Sequence, residues 1–154
     1  MISATRIICK TIPLSFFNCL RLFLFVLCLS PGFLRFAWYY FISSDRVSVQ
    51  YGNESVRQRL DVYRSSDASG VCRSNAPVLI FAPGGAWVIG YKMWGALLAR
   101  ALTATGIVVV IPDMRNYPLV SIPYMVEDID LAIGWTIKNV ADFGGDPQIG
   151  RAHV

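Results

Sequence analysis

Histidine is almost missing from this sequence: among 154 residues it occurs once, as His153. The first 44 residues contain no acid at all. The four cysteines, Cys9, Cys19, Cys28 and Cys72, include no pair at metal-ligand spacing. Three of them lie in one apolar stretch, which excludes a disulfide framework and leaves them as small hydrophobes. No Gly-Lys-Ser/Thr occurs, so a phosphate loop of that type is excluded, and no internal repeat suggests a solenoid. Nothing in these patterns calls for a metal or another cofactor.

What is present is apolar. The chain is 55% hydrophobic and 13% aromatic, with only 16% charged residues and a net charge of +4. Arg6, Lys10, Arg21 and Arg35 carry that entire excess, because the ten acids and the other ten bases all follow position 44. Positive charge placed this way marks a membrane flank and gives no footprint for nucleic acid.

Residues 1–44 are therefore expected to form a membrane segment. Arg21 and Arg35 interrupt the apolar run, so two placements compete, 14–34 and 22–42. A central arginine costs about 3 kcal/mol on insertion scales, less when it snorkels, while each Leu or Phe returns about 0.5 kcal/mol. The six residues Leu22-Phe23-Leu24-Phe25-Val26-Leu27 favour the second placement. Phe36, Trp38, Tyr39, Tyr40 and Phe41 then sit as an interfacial aromatic belt. Pro31-Gly32 would kink the helix or divide it into a hairpin. A soluble hydrophobic arm and a cleaved signal peptide compete, but against the latter no small-x-small site follows Leu29, and Pro31 stands where cleavage would fall. The positive-inside rule puts the N-terminus in the cytosol; one span places the remainder in the lumen, and a hairpin returns it to the cytosol. Occupancy of the sequon Asn53-Glu54-Ser55 would decide between them.

Residues 45–154 read as an α/β domain. Alternation over 46–51 and again over 60–63, with Gly52-Asn53 between, predicts a hairpin. A polar linker spans 65–74. The run 77–82 reads as a strand buried on both faces, and 107–111 as a second. A helix is predicted over 91–105, with Leu97, Leu98, Ala101 and Leu102 inward and Gly106 as its stop. A longer one is predicted over 121–140, with Ile122, Met125, Val126, Ile129, Ala132, Ile133 and Ile137 inward. Its acids Glu127, Asp128 and Asp130 suit the helix dipole. A hairpin followed by strand–helix–strand–helix predicts a parallel sheet.

Two glycines directly after a buried strand let backbone N–H groups face the crevice at the strand's C-terminal end. In hydrolases with an HGGG-type loop such groups hold the oxyanion of an acyl-transfer intermediate, and losing one donor costs about 3 kcal/mol. A tight turn without a ligand explains a bare Gly-Gly equally well. The context is Pro83-Gly84-Gly85-Ala86-Trp87-x-x-Gly90-Tyr91-Lys92-x-Trp94-Gly95. It is flanked by Tyr39-Tyr40-Phe41, Tyr51-Gly52, Arg59-Leu60-Asp61-Val62-Tyr63, Asp113-x-Arg115-Asn116-Tyr117-Pro118, Met125-Val126-x-Asp128 and Phe143-Gly144-Gly145-Asp146-Pro147. In combination, over residues 30–147, these resemble the isoprenylcysteine α-carbonyl methylesterases, membrane α/β-hydrolases. Pro83 stands where wider relatives have histidine, which leaves the glycine donors intact.

The resemblance implies the N-terminal part of an α/β-hydrolase fold, with the strand after the first helix lying on the hairpin side of the one before it, behind a membrane-anchoring helix at the endoplasmic reticulum or Golgi. It implies a methyl ester of a prenylated C-terminal cysteine as substrate, and membrane lipid and prenylated protein as partners. Gly84, Gly85 and Ala86 become the expected oxyanion donors. Trp87, Tyr91 and Trp94 are candidates for the acyl or prenyl pocket, with packing as the alternative. Asp113 and Arg115 are expected to form a structural pair.

Such chemistry needs a serine on a Gly-x-Ser-x-Gly elbow, then an acid and a histidine. No such elbow occurs in the sequence. His153 is expected to be solvent-exposed, and 148–153 to mark the excision of a strand and its elbow, so no catalytic triad residue is assigned. Three readings follow. One is a methylesterase sequence whose catalytic half lies elsewhere; another is a non-enzymatic anchored fragment that binds lipid or a partner. The third is a hydrolase of formamides or simple esters, since the loop alone does not distinguish acyl groups.

Overall fold

The computed structural model describes residues 4–65 and 74–148. Cys72, the linker at 66–73 and the tail with His153 lie outside the described residues. The chain divides into two compact units between Ile42 and Ser43.

The first unit is one helix, α1 (Ala4–Trp38), extended by a π-helical turn at Tyr39–Ser43. No hairpin forms at Pro31-Gly32. Proline lacks the N–H that would bond the Leu27 carbonyl, but the Ser30 hydroxyl donates to that carbonyl at 2.7 Å and keeps it satisfied. Residues Phe17–Ser43, at a mean hydropathy of 1.8, form a helix long and apolar enough to cross a membrane. Within the aromatic cluster, Tyr40 stacks against Phe36 and meets Phe41 edge-on.

The second unit is a four-stranded sheet with helices. Strands β1 (Arg46–Gln50) and β2 (Arg59–Tyr63) form the expected antiparallel hairpin, with Val47 opposite Val62 and Val49 opposite Leu60. β3 (Val78–Ile80) runs parallel to β4 (Val108–Pro112), and the order is β1-β2-β4-β3. The later strand therefore lies inside, toward the hairpin, as anticipated. Every β4 residue is buried, which explains its unbroken Val and Ile run.

β3 departs from expectation. It spans three residues rather than the full 77–82 run, and Leu79 is 37% exposed rather than buried on both faces. A strand gains two covered faces only from helices on both sides and neighbours on both edges. Among the described residues β3 has β4 on one edge and a single parallel bridge, Ala76 to Gly145, on the other.

The first of the later helices turns a face other than the one predicted, and the second bears out only part of its predicted face, at Met125, Ile129 and Ala132. Residues 91–105 are split into a 3-10 turn (Lys92–Gly95) and α2 (Ala96–Thr103). Ala96 and Ala99 are buried, whereas Leu97 and Leu98 are exposed. The start of the helix lies too close to the sheet for large side chains. A Cβ on Gly95 would meet Ile111 Cδ1 at 2.6 Å and Phe81 Cδ1 at 2.9 Å. Gly106 ends the helical region with φ 96°, as expected of glycine there. α3 (Ile122–Asn139) buries Met125, Asp128, Ala132 and Thr136, while Ile122, Val126, Ile133 and Ile137 stay exposed and Ile129 is half-buried. Asp128 is thus a core residue and not a dipole-complementing surface acid. The core joins Leu60, Val62, Val108 and Val110 of the sheet to Ala132 of α3 and to Val140 just beyond it.

Candidate active site

The segment from Pro83 to Gly90 leaves the C-terminal end of β3, whose pairing continues through a bond from Phe81 N to the Val110 carbonyl (2.9 Å). It is a turn closed on itself: Val88 N and Ile89 N both donate to the Gly85 carbonyl, at 3.0 and 2.9 Å. Ala86 (φ 51°) and Trp87 (φ 64°) adopt the left-handed conformation. For residues with a Cβ this costs about 1–2 kcal/mol each, so surrounding contacts must hold it.

The two glycines do different work. Gly85 has φ 154°, and a Cβ there would fall 2.3 Å from Gly90 N and 2.6 Å from Gly90 Cα, so the turn closes only around glycine. A Cβ on Gly84 would meet nothing within 4 Å. Its surroundings are open space, which is where a ligand would approach. Among the described residues, no acceptor bonds the backbone N–H of Gly84, Gly85, Ala86 or Trp87. Consecutive free amides beside left-handed residues form the kind of concavity that binds anions.

These residues line a cavity of about 480 Å³, closed by Met114 and Asn116 after β4 and by Met125, Val126 and Ile129 of α3. Its walls are chiefly apolar, with the loop amides and Asn116 as polar points. That combination suits an apolar acyl compound bearing one oxyanion. Trp87 lines this cavity and is half-exposed. Tyr91 instead lines a second cavity of about 490 Å³, with Arg57, Arg59, Lys92 and Asp113. Trp94 lines neither and is 54% exposed. The three aromatics are therefore not gathered around one pocket, and none is buried.

Asp113 and Arg115 do not pair with each other. Asp113 receives Arg57, Nη2 to Oδ1 at 2.8 Å, and its carbonyl accepts the Tyr51 hydroxyl at 2.5 Å. Burial pushes the Asp113 carboxyl above its ordinary range even though Arg57 pulls it down. Burial likewise raises Tyr51, reinforced by the nearby Asp128 and Asp113 charges, so its hydroxyl stays protonated and able to donate. Arg115 grips Asp128 through Nε (3.0 Å), Nη2 (2.6 Å) and its own backbone N (2.9 Å), and reaches Glu54 as well. The bonds to Asp128 raise Arg115 above its usual value. Burial of Asp128 works against its charge, yet the Arg115 bonds, with Gln58 Nε2 at 2.7 Å, hold it below the ordinary carboxylate range. Gln58 also accepts Glu54 N at 2.8 Å, which ties the hairpin turn to α3. Lys92 is buried, bonded to Asp61 and Ser48 at 2.6 Å each, and pins the segment after the loop to the hairpin.

Arg57, Gln58, Lys92 and Asn116 had no assigned role at the level of sequence. Each bonds residues 26 to 70 positions away, and no local pattern encodes those distances.

The BD-FAE family model matches residues 60–149, more than half of the chain. The chain belongs to the BD-FAE family. Its expected resemblance to the isoprenylcysteine methylesterases is borne out. This BD-FAE chain is 46% identical over 134 residues to the probable isoprenylcysteine alpha-carbonyl methylesterase ICMEL1 of Oryza sativa subsp. japonica, covering 84% of itself and 30% of that protein. It is 43% identical over 130 residues to isoprenylcysteine alpha-carbonyl methylesterase ICME of Arabidopsis thaliana, with 84% and 29% covered. It thus spans under a third of those relatives' length. A solved thermophilic esterase from Thermogutta terrifontis, Est2 with propionate bound, superposes at a TM-score of 0.56 and 24% identity, covering 67% of this chain and 38% of that one. A putative thioesterase from Silicibacter sp. TM1040 gives 0.59 at 22% identity, over 71% and 40%. These neighbours show the fold: the sheet and helices are the N-terminal part of an α/β-hydrolase.

Proposed function

We propose that Gly84, Gly85 and Ala86 form the oxyanion-binding part of a membrane-anchored carboxylic ester hydrolase that acts on the methyl ester of a prenylated C-terminal cysteine. The observation that carries this reading is the row of unpaired loop amides at the wall of an apolar cavity of about 480 Å³. The names of the rice and Arabidopsis relatives support the substrate, and the apolar helix at Phe17–Ser43 supports residence beside a lipid-soluble one. In the reaction, attack on the ester carbonyl puts negative charge on its oxygen, to which the loop N–H groups donate hydrogen bonds. Collapse expels methanol, and water then releases the acid. The attacking serine must come from a Gly-x-Ser-x-Gly elbow, which is absent from these 154 residues. We therefore propose that this chain alone does not turn over. The membrane is taken to be endoplasmic reticulum or Golgi.

A chimera tests this. Residues 1–147 are joined to the part of the rice relative that follows its matched region, and hydrolysis of N-acetyl-S-farnesylcysteine methyl ester is compared with that of butyrate esters. Preference for the prenylated ester is expected. Activity on simple esters only would favour the small-ester reading, and a folded but inactive chimera would sink the oxyanion assignment. Labelling of the 154-residue chain by a fluorophosphonate probe would refute its proposed inactivity. The non-enzymatic reading keeps one observation in its favour, the exposed apolar flank of α3 at Ile122, Val126, Ile133 and Ile137.

A further inference from the structure

The loop amides are useful only if the turn that presents them is held still, and the turn contains two left-handed residues with side chains. Its closure rests on two peptide groups. Val88 N–H and Ile89 N–H converge on the Gly85 carbonyl. In a trans peptide the carbonyl and the following N–H point in opposite directions. Fixing the Gly85 carbonyl inside the turn therefore directs the Ala86 N–H outward. Both closing peptides are anchored on their other side by consecutive residues after β4. Tyr117 N donates to the Trp87 carbonyl at 2.9 Å, and Asn116 Nδ2 donates to the Val88 carbonyl at 3.1 Å. Asn116 Nδ2 also reaches the Gly90 carbonyl at 2.9 Å, where Arg57 Nη2 adds a bond of 2.7 Å.

Asn116 is 3% exposed, and its Oδ1 is buried with no partner among the described residues. A buried amide with an orphan oxygen is a poor structural choice, so its value lies in its donors. We propose that Asn116 is the positioning residue of the oxyanion loop: through the Val88 and Gly90 carbonyls it fixes the turn that aims the Gly84–Ala86 amides. This rests on the oxyanion reading of those amides. Aspartate at 116 would place an oxygen against two carbonyls and push the loop away, although its shape is the same.

The test uses the full chain, 15N-labelled, in detergent micelles, with butyrate as the oxyanion probe. In the unmodified chain the Gly84, Gly85 and Ala86 amides should shift saturably, and the Asn116 side-chain amide protons should exchange slowly. In N116A and N116D, butyrate affinity should fall at least tenfold and exchange at Val88 and Ile89 should rise at least tenfold, while Val109 and Val110 stay protected. T136V removes the buried bond from Thr136 to the Ala132 carbonyl. It should destabilise the domain and leave both loop readouts unchanged, which a merely structural role for Asn116 would not predict. Wild-type affinity and exchange in either Asn116 variant would overturn the proposal. So would fast exchange of the Asn116 side-chain protons in the unmodified chain, a result that needs no variant to fold. If butyrate moves no loop amide in the unmodified chain, the oxyanion reading fails. The Val88 and Ile89 exchange rates then decide Asn116 separately: unchanged rates overturn its role, raised rates uphold it as the clamp on the turn.

Discussion

Substituting the two glycines of the loop one at a time separates folding from binding. In Gly85→Ala the new methyl falls 2.3 Å from Gly90 N, 2.6 Å from Gly90 Cα and 2.8 Å from Ile89 C. All three are backbone atoms of the same closed turn, so none can move aside as a flexible side chain would. The φ of 154° adds strain for any residue with a Cβ. Overpacking of this kind costs about 1–3 kcal/mol and the backbone strain about as much again, which makes about 4 kcal/mol a central value. With a urea m-value of about 2 kcal/mol per M, the unfolding midpoint should drop by about 2 M. In Gly84→Ala the methyl meets nothing within 4 Å, so stability should change by no more than about 0.5 kcal/mol. That methyl lies in the open space beside the free amides, and butyrate binding should weaken. The assay is urea unfolding of the chain in micelles, followed by tryptophan fluorescence, to which Trp87, Trp94 and Trp135 of the domain contribute beside Trp38 of α1, with butyrate titrations alongside. Equal midpoints for the two variants would refute the assigned division of labour. A Gly84→Ala chain that binds butyrate as the unmodified chain does would refute the open approach to the loop.

Asp128→Ala leaves the Arg115 guanidinium, 11% exposed, with only the solvent-facing Glu54 as an acidic partner among the described residues. Breaking one side of a buried pair costs about 3–5 kcal/mol, and a urea midpoint within error of the unmodified chain would contradict the burial assigned to that network. Stability should also respond to pH in two opposed ways. Asp128 titrates below the ordinary 3.8 in the fold, so its contribution is complete above 3.8 and is lost as pH falls through its folded value. Asp113 titrates above 3.8, so its ionised form opposes folding at neutral pH, and protonation relieves that cost as pH falls toward 3.8. Urea midpoints should hold or rise slightly from pH 7 to 4 and fall below that; a steady decline beginning near pH 7 would contradict both signs. Finally, Asn53 is exposed in the hairpin turn. If α1 spans once with its N-terminus in the cytosol, expression in microsomes should give an endoglycosidase-sensitive band that Asn53→Gln abolishes, and an unmodified chain would reverse that topology.

The parts of the fold that were legible from sequence are those whose environment is set by their own pattern. Val47 and Val49 alternate because one face of β1 meets Val62 and Leu60, and the apolar run at 107–111 belongs to a strand with neighbours on both sides. Periodicity failed where room, rather than polarity, decided the orientation. On α2 the leucines had the stronger pattern, yet the close approach at Gly95 admits only Ala96 and Ala99. On α3 the apolar stripe concealed Asp128, whose burial depends on Arg115 thirteen positions earlier and Gln58 seventy earlier. β3 read as doubly covered because its run is unbroken and apolar, while the described residues supply one full edge. At the site, the glycine pair announced a turn near a strand end. Which glycine shapes the turn and which one borders open space depends on Gly90 folding back against Gly85, five residues before it.

The residues that shape the loop are all found within the described domain: Gly85 and Gly90 by contact, Asn116, Tyr117 and Arg57 by hydrogen bonds, and Asp113 by holding Arg57. None of these constraints involves a nucleophile. As the proposed oxyanion site, a loop held this way would be preorganised before any acyl group arrives, which is the condition under which amide dipoles are most effective, because no reorganisation is needed at the moment charge develops. It also means that binding and turnover are separable in this fold. On the proposed reading, the loop should recognise a carboxylate product through the same amides that would stabilise the charged intermediate, whether or not the chain itself turns over. Affinity for butyrate without fluorophosphonate labelling is the joint signature of that separation, and labelling without butyrate affinity would invert it.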